Sequence, residues 1–518
     1  MIFGPAGQSS LSGMNCSCGS TGDRDLHPFP ELLRHQYCRF LDTLGPMEPV
    51  PHRRLWVPCC RNDPTPSHAK GTMINVLIIW PPHVPSYFNA GHHTPMYSVA
   101  GHVRGLPHVQ QVDVCEAGVL NMNWKAVGDL LYQGEYDVIA MMNDFDAIDG
   151  FARFTEYARA LSPNTRLITF GRLSSMNPGF FRTYDLDAVV ESGDYECGVA
   201  SYLSARAEQP AEELPGGLPG VAVRTAEGWR GPSGTGAVLE PGAWTLPDVA
   251  EIPYAAYDRL YVRDEDKFCG IPFRRELVVP VARGCPIGCE FCEVPEIFGL
   301  RERRLSVDAT VEYIERAYAA APFEYVAFYA PTFTLNRRWV SELCGRFLAG
   351  PLSPRWKCAT TVHHLDEELV GEMGAAGCVR VSVGLETLDE AGHEGLPRAK
   401  RIHRERFSRL AAWCDKAGVE LNAFVIVGLP GTTVSGTKDT MAFARSLGAR
   451  VRPTMYTPIH HLTADMSPGE VARYNRQLRT DPAPSPDDRD WHGFVFGPED
   501  RPTTVYERVP RHAPQASR

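Results

Sequence analysis

Three cysteines in the second half of the chain, Cys285, Cys289 and Cys292, form a CxxxCxxC loop. Thiolates on one short loop are suitable ligands for an iron–sulfur cluster. A cluster of four irons needs four terminal ligands, so three cysteines leave one iron open to another molecule. Gly284 and Gly288 permit the tight backbone that would wrap such a cluster. The spacing therefore predicts a 4Fe-4S cluster with an open, catalytic iron.

Two alternatives give these cysteines no catalytic role. Three cysteines and a histidine can form a structural zinc site, although zinc sites are usually built from two CxxC-type ligand pairs. No second pair of this kind appears in the sequence. The other alternative is that the three cysteines are unrelated residues of a buried core.

The elements that would position this loop alternate between strand and helix patterns. Six units of this kind with right-handed crossovers predict a partial (βα)6 barrel, whose functional residues lie at the carboxyl ends of the strands. The cysteine loop follows the first strand. The predicted strands are 276–282, 325–329, 356–360, 379–383, 421–427 and 451–455, and the predicted helices are 308–320, 336–349, 366–376, 402–417 and 434–447.

An earlier alternation predicts a second α/β domain with a doubly wound, Rossmann-like parallel sheet. Its predicted strands are 74–80, 111–115, 136–142, 166–170 and 188–191, with helices at 123–132 and 147–161. The domains predicted along the chain are a disordered extension at 1–72, the first α/β domain at 73–207, a linker with one small hairpin at 208–270, the barrel at 271–456 and a cap or tail at 457–518. Met73 precedes the first buried strand, so we expect it as the natural start.

Composition limits the classes of function. The chain has 518 residues, which predicts two or three domains, and a net charge of -10, which argues against a nucleic-acid partner. Its apolar runs are too short to span a bilayer, so we expect no membrane segment. Fifteen cysteines without a signal-peptide pattern predict a reducing, cytoplasmic location.

The cysteine loop, with Phe291 before its last cysteine, resembles the loop of the radical S-adenosylmethionine superfamily. The resemblance covers about 276–456. It implies that the open iron holds the amino and carboxylate groups of S-adenosylmethionine, and that an electron from the cluster cleaves it to a 5'-deoxyadenosyl radical. A flavodoxin- or ferredoxin-type reductant is the implied electron donor.

Later strands carry further landmarks of that superfamily. The resemblance of 383–386 to the G-[IL]-E turn places Ser382, Gly384 and Glu386 near the bound ribose or amino acid. The resemblance of 425–431 to the glycine motif of the fifth strand implies that Ile426 packs on adenine and that Gly428 permits close approach. The second strand departs from the pattern, because 328–332 lacks the usual polar or acidic residues.

The first domain resembles the cobalamin-binding domain that precedes many radical S-adenosylmethionine enzymes. The matching segments are 76–82, 136–139, 170–172 and 191–196. A corrin would then lie over the carboxyl ends of the strands, near Pro81 and the small residues Gly171, Ser174 and Gly193. A Rossmann-like domain with a nucleotide or no ligand is the alternative, although no GxGxxG follows the first strand.

Cobalamin mutases supply a lower axial histidine through a DxHxxG motif, which this domain lacks after its first strand. His92 and His93 lie near the expected place, and we interpret them as exposed loop residues. Cobalamin is expected to bind without a histidine ligand.

Together the two domains resemble class B radical S-adenosylmethionine methyltransferases. The resemblance implies transfer of a methyl group, through methylcobalamin, to an unactivated carbon or phosphorus of a small molecule, as in antibiotic biosynthesis. A non-methylating rearrangement or oxidative cyclisation is one alternative, and an iron–sulfur redox or binding module is another. Two histidine pairs, 363–364 and 460–461, are either anion-binding groups or solvated loop residues.

Overall fold

The computed structural model describes residues 73–83, 93–209, 214, 216–261 and 275–474. These residues belong to one compact unit that extends from Ala69 to Arg518. The predicted extension at 1–72 and most of the predicted tail lie outside the described residues.

The first sheet has seven strands in the order β2-β1-β3-β4-β5-β6-β7. Strands β1 to β5 are parallel, as predicted, and the order reverses at β1, which pairs with both β2 and β3. Helices cover both faces, which is why β1 and β3 are almost continuously apolar. The strands are β1 Ile74–Trp80, β2 Val109–Glu116, β3 Val138–Asn143, β4 Arg166–Gly171, β5 Ala188–Val190, β6 Val221–Thr225 and β7 Gly228–Arg230.

The hairpin expected in the linker is present as β6 and β7, and it belongs to the first sheet. Strand β6 pairs antiparallel with β5, with Ala188 opposite Val223. Its first three residues are buried, so the hairpin completes the edge of this sheet. The first sheet therefore continues well beyond residue 207.

The second sheet is parallel, with the order β8-β11-β12-β13-β14-β15. Its neighbours follow one another along the chain, as expected for an open (βα)6 barrel, so the predicted fold is confirmed. A short hairpin, β9 with β10, follows β8. The strands are β8 Glu276–Pro280, β9 Ala282–Arg283, β10 Arg303–Arg304, β11 Tyr325–Tyr329, β12 Arg355–Thr361, β13 Cys378–Glu386, β14 Glu420–Val427 and β15 Arg450–Met455.

Polar N-caps fix the starts of several helices. Asn123, Ser306, Asn336, Asp366 and Thr433 each accept a hydrogen bond from the backbone of the first turn. The helices are α1 Thr94–Arg104, α2 Trp124–Gln133, α3 Ile148–Leu161, α4 Arg172–Met176, α5 Pro178–Phe181, α6 Tyr195–Glu208, α7 Tyr254–Tyr261, α8 Val294–Phe298, α9 Val307–Ala320, α10 Arg337–Ala349, α11 Glu367–Ala375, α12 Arg404–Lys416, α13 Val434–Ser446 and α14 Pro468–Arg473. None of the described helices is both long and apolar enough to cross a membrane.

The residues after the barrel return to the first sheet. Leu462, Val471 and Tyr474 belong to the apolar core on the α3 side of that sheet. The Tyr474 ring stacks on Phe145 with 6.0 Å between centroids. This part of the predicted cap therefore ties the end of the barrel to the first sheet.

Candidate functional site

The cysteine loop leaves the hairpin strand β9 and ends at α8. Cys285 and Cys289 are buried, and Cys292 is partly exposed. Gly284 has φ +81, and a Cβ there would lie 2.1 Å from the Arg301 carbonyl oxygen, so no other residue fits this turn. The backbone amide of Cys292 also donates to the Cys289 carbonyl at 3.1 Å. The loop thus holds its three thiols in a fixed turn.

The chemistry of these thiols fits a cluster. Burial raises the pKa of the Cys289 thiol to about 12 and that of Cys292 to about 11. Their thiolates therefore need a bound cation, which the irons of a cluster would provide. Within the described ranges, no three His, Cys, Asp or Glu side chains are grouped closely enough to hold one metal ion. A four-iron cluster bonds its cysteines through separate irons, so its ligands need not converge on a point.

A threonine occupies the place where the second barrel strand departs from the superfamily pattern. Thr332 is 2% exposed, and its hydroxyl lies 3.6 Å from the Cys285 sulfur. Arg304 donates to the Thr332 carbonyl at 3.1 Å, which fixes this segment against the hairpin β9–β10. The departure therefore puts a hydroxyl, and no carboxylate, beside the first cysteine.

Glu386 ends β13 in a left-handed conformation, with φ +56. Its carboxylate lies 2.9 Å from the Lys400 ammonium, and both side chains are largely buried. A Cβ at Gly384 would lie 2.1 Å from that carboxylate, which explains the glycine. The charge of Lys400 also reaches Cys289 and Cys292. The pair thus adjoins the cluster loop.

Sequence reasoning found Glu386 but missed Lys400. Lys400 stands in a short turn, 14 positions after its partner, and no local motif marks it. Ser382, which was predicted together with Gly384 and Glu386, accepts a hydrogen bond from the Asn422 side chain at 3.1 Å. Its predicted role beside the ribose stays a prediction.

An apolar patch combines Phe291 of the cluster loop with residues of the last three barrel units. Ile426, Leu429 and Leu396 form a small buried cluster, with Phe291 and Tyr456 packed against it. The structure therefore brings together Phe291 and Ile426, which the sequence proposed separately. Gly428 follows with φ +79, in agreement with a turn that requires glycine. Such a patch beside the cysteine loop can receive a flat, apolar ring.

The residues predicted to leave room for a corrin pack against protein. A Cβ at Gly171 would lie 2.3 Å from the Asn143 carbonyl oxygen, and one at Gly193 would lie 2.6 Å from the Ala237 carbonyl oxygen. Ser174 is fully buried, and its hydroxyl bonds to the Gly171 carbonyl at 3.1 Å. Pro81 is buried at the end of β1. Their contact with cobalamin stays a prediction, and each has a packing reason of its own.

The turn at 191–196 forms buried ion pairs with the barrel, which the sequence did not suggest. Asp194, 1% exposed, accepts from Arg303 at 2.6 Å and 2.8 Å. Glu196 accepts from Arg283 at 2.6 Å. Both arginines belong to the hairpin β9–β10 that precedes and follows the cysteine loop. The acidic turn of the first sheet thus anchors the base of that loop.

A cavity of about 150 Å³ lies between the two sheets. One wall comes from the starts of α1 and α6, and the other comes from the ends of β8 and β11. Most of its surface is apolar, and Tyr329 projects from the barrel side. The lining residues are Thr94, Pro95, Ser98, Tyr195, Glu196, Pro280, Ala282, Arg283, Val294, Phe298, Tyr329, Ala330 and Pro331.

The prediction for His93 was wrong, because this residue is buried, at 4% exposed. Its Nδ1 lies 3.3 Å from the Tyr257 hydroxyl, which also donates to the buried Glu116. Burial raises the pKa of that carboxyl to about 7. His92 lies outside the described residues. A single histidine before a helix carries no sequence signal that distinguishes this buried network from an exposed loop.

The structure does not decide between the two interpretations of the histidine pairs, anion-binding groups or solvated loop residues. His363, His460 and His461 are exposed, and His364 is partly buried. The rings of His460 and His461 lie 4.4 Å apart. Their exposure suits solvated loop residues, and their recognition of an anion stays a prediction.

Comparison with known proteins identifies the barrel. Residues 279–444 match the Radical SAM superfamily. An uncharacterised methyltransferase of Pyrococcus horikoshii is 29% identical over 40% of this chain and 44% of its own length. The anaerobic magnesium-protoporphyrin IX monomethyl ester cyclase of Rubrivivax gelatinosus is 25% identical over 43% of this chain and 41% of its own. The chain thus spans under half the length of these curated relatives.

Solved structures share the fold of both sheets together. The methyltransferase TsrM of Kitasatospora setae, with tryptophan and a S-adenosylmethionine analogue bound, has a TM-score of 0.60 at 18% identity and covers 74% of each chain. The same protein with cobalamin and a [4Fe-4S] cluster has a TM-score of 0.57 at 17% identity, and covers 75% of this chain and 77% of that one. At these identities the likenesses show a shared fold, which extends over about three quarters of this chain.

Proposed function

We propose that this chain, whose residues 279–444 match the Radical SAM superfamily, is a cobalamin-dependent radical S-adenosylmethionine methyltransferase acting on a small molecule. The observation that carries the proposal is the position of the cysteine loop, which leaves the barrel and is anchored by the first sheet through Asp194 and Glu196. The relationship to a methyltransferase and the fold shared with a cobalamin-binding one support it. The acceptor atom, carbon or phosphorus, and a place in natural-product biosynthesis are the finer parts of the proposal.

When bound, the cluster supplies the electron that cleaves S-adenosylmethionine, and cobalamin supplies a carrier for the methyl group. Cys285, Cys289 and Cys292 would hold the cluster, and their loop leaves one iron without a protein thiolate. Lys400 offers a cation for the methionine carboxylate, and Glu386 offers an acceptor for an amine or a hydroxyl. The patch with Phe291 and Ile426 would hold the adenine. These residues orient S-adenosylmethionine between the loop and the last barrel strands.

The cavity between the sheets is our candidate for the reaction chamber. It touches the first sheet through α1 and α6, and the barrel through the ends of β8 and β11. Val294, in its wall, is two residues beyond Cys292. An apolar lining excludes water from a reactive radical, which is the protein's task in such chemistry. At about 150 Å³ the chamber suits one ring-sized part of a small acceptor.

One observation favours a second function, a cobalamin-linked oxidative cyclisation. The relative from Rubrivivax gelatinosus is a cyclase, and it matches 43% of this chain, against 40% for the methyltransferase of Pyrococcus horikoshii. A cyclase of this kind would consume S-adenosylmethionine without moving its methyl group to a carrier or product.

Trideuteromethyl S-adenosylmethionine distinguishes the two functions. The holoprotein, reconstituted without oxygen with iron, sulfide and cobalamin, is incubated with the labelled compound and a reductant. We expect S-adenosylhomocysteine to form and the label to enter the cobalamin fraction, both measured by mass spectrometry. Formation of only methionine and 5'-deoxyadenosine would contradict methyl transfer and support the cyclase. A sample without cobalamin is the control.

A further inference from the structure

Arg172 connects the ligand crevice of the first sheet to the cysteine loop. It is the first residue after β4, and its Nη2 donates to Asp144 Oδ1 at 2.7 Å. Asp144 directly follows β3, beside the point where the strand order reverses, which is where ligands of such sheets bind. The Nη1 of Arg172 lies 3.1 Å from both carboxylate oxygens of Glu293. Glu293 is the residue after Cys292.

Arg172 is held firmly between these partners. Its guanidinium lies 4.9 Å from the centre of the Phe145 ring, which adds a cation–π contact on a third side. The side chains of Arg172, Asp144 and Glu293 are 19%, 5% and 32% exposed. Charges this far from water interact more strongly than surface charges. The Tyr329 phenol, in the cavity wall, lies within electrostatic reach of Arg172, Glu293 and Cys292.

Glu293 occupies the N-cap position of α8, where its side chain makes no capping hydrogen bond. The helix starts one residue after Glu293, so the carboxylate that Arg172 binds lies where the cysteine loop becomes helix. A shift of Glu293 would move Cys292 with it. Arg172, which follows a strand of the first sheet, therefore constrains the position of Cys292, the last of the three cluster cysteines.

We propose that the pair Arg172 and Glu293 positions Cys292 and sets the reduction potential of the cluster. This inference rests on the proposed function, because it requires the cluster. Reduction adds one negative charge to the cluster, so a nearby cation favours it and a nearby carboxylate opposes it. The first sheet would thus tune the electron transfer that starts the reaction, through a positioning residue at its ligand crevice.

Substitutions at Arg172 and at Glu293 should shift the midpoint potential of the cluster in opposite directions. Arg172→Met removes a cation and leaves the carboxylate unneutralised, so the midpoint potential should fall. Glu293→Gln removes the carboxylate, so the potential should rise. We expect each change to alter the ratio of reduced to oxidised cluster at fixed poise by roughly threefold to tenfold, where tenfold corresponds to 59 mV. Arg172→Lys keeps the charge and should stay close to the unmodified protein.

A comparable ion pair at the other end of the first sheet provides the control. Arg159 lies 2.7 Å from Asp187, and their side chains are 21% and 13% exposed. Asp187 precedes β5, so the pair lies at the amino ends of the strands, away from the cysteine loop. Arg159→Met removes a similar interaction and should leave the potential unchanged.

The experiment is a redox titration of the reconstituted holoprotein, followed by electron paramagnetic resonance of the reduced cluster. Opposite shifts for Arg172→Met and Glu293→Gln, with Arg172→Lys unshifted, would support the inference. Shifts in the same direction, or no shifts with an intact cluster, would overturn it. If Arg172→Met fails to retain iron, Glu293→Gln and Arg172→Lys still decide the question. Absence of a cluster signal from the unmodified protein would instead defeat the proposed function.

Discussion

The ammonium group of Lys400 lies 2.9 Å from the Glu386 carboxylate, where the fourth strand of the barrel ends beside the cysteine loop. The charge of Lys400 lowers the pKa of both Cys289 and Cys292 against the larger effect of burial. This pair therefore belongs to the same electrostatic environment as two of the cluster ligands.

Lys400→Met should weaken binding of S-adenosylmethionine at least about tenfold, a loss of about 1.4 kcal/mol. The substitution removes the cation that we assign to the methionine carboxylate. It also leaves Glu386 buried without its partner, which should cost about 3–5 kcal/mol of stability. Equilibrium binding and urea unfolding measure the two effects.

The double substitution Lys400→Met with Glu386→Gln separates these effects. It should recover much of the stability, because no buried charge is left alone, and it should not recover binding. Lys400→Arg is the conservative control. Recovery of full affinity in the double variant would show that Lys400 does not contact S-adenosylmethionine.

Gly284→Ala should prevent cluster assembly. The added Cβ would lie 2.1 Å from the Arg301 carbonyl oxygen, so the loop backbone must shift. Gly299→Ala, at the residue after α8, is the control, because its φ is +78 against +81 and no atom lies within 4 Å of its Cβ. Its backbone, with φ +78 and ψ 178, is in a region that glycine alone populates readily, so Gly299→Ala should cost about 1–3 kcal/mol without a steric clash. Iron content after reconstitution is the measurement, and equal loss in both variants would refute the steric explanation.

Ile426→Ala should weaken S-adenosylmethionine binding by about tenfold through loss of the surface assigned to adenine. Ile426→Val keeps most of that surface and should bind almost normally. Unchanged affinity in Ile426→Ala, with the fold intact by circular dichroism, would remove this patch from the site.

The anchor of the cysteine loop predicts a dependence of stability on pH. Burial alone would raise the pKa of Asp194, but the hydrogen bonds from Arg303 and the charge of Arg283 outweigh it, so this pKa lies below its usual value. The stabilisation is therefore complete above the unfolded pKa of about 3.9, and is lost as pH falls through the lower folded pKa.

Asp194→Asn should remove that contribution and, at pH 7, cost about 3–5 kcal/mol, because Arg303 stays buried without its carboxylate. Urea unfolding between pH 3 and pH 7 measures this. Asp129→Asn breaks the exposed pair with Lys125 and should cost less than about 0.5 kcal/mol. Equal costs for the two variants would mean that Asp194 does not anchor the loop.

The barrel could be predicted from the sequence because each strand–helix unit has its own local pattern of apolar residues. Tyr325–Tyr329 was predicted with the bounds that the structure has, and the other barrel strands differ from their predictions by at most three residues at either end, apart from the break of the first before β9. A buried parallel strand is a continuous apolar run between two amphipathic helices, which local pattern reveals.

Contacts between segments that are distant in sequence could not be predicted from these local patterns. The hairpin of β6 and β7 was expected, but its pairing with β5 depends on antiparallel contacts that alternation does not encode. Lys400, and the arginines that bind Asp194, are single charged residues whose partners are set by the fold. The cluster ligands could be predicted because all three lie in one short loop, where their spacing is visible in the sequence.

We propose that Cys285, Cys289 and Cys292 hold a cluster that cleaves S-adenosylmethionine. The most direct test of this proposal compares the reconstituted protein with Cys289→Ala, with dithionite as reductant, by measuring 5'-deoxyadenosine. We expect 5'-deoxyadenosine from the unmodified protein and none above background from the variant. Equal production by both proteins would contradict it.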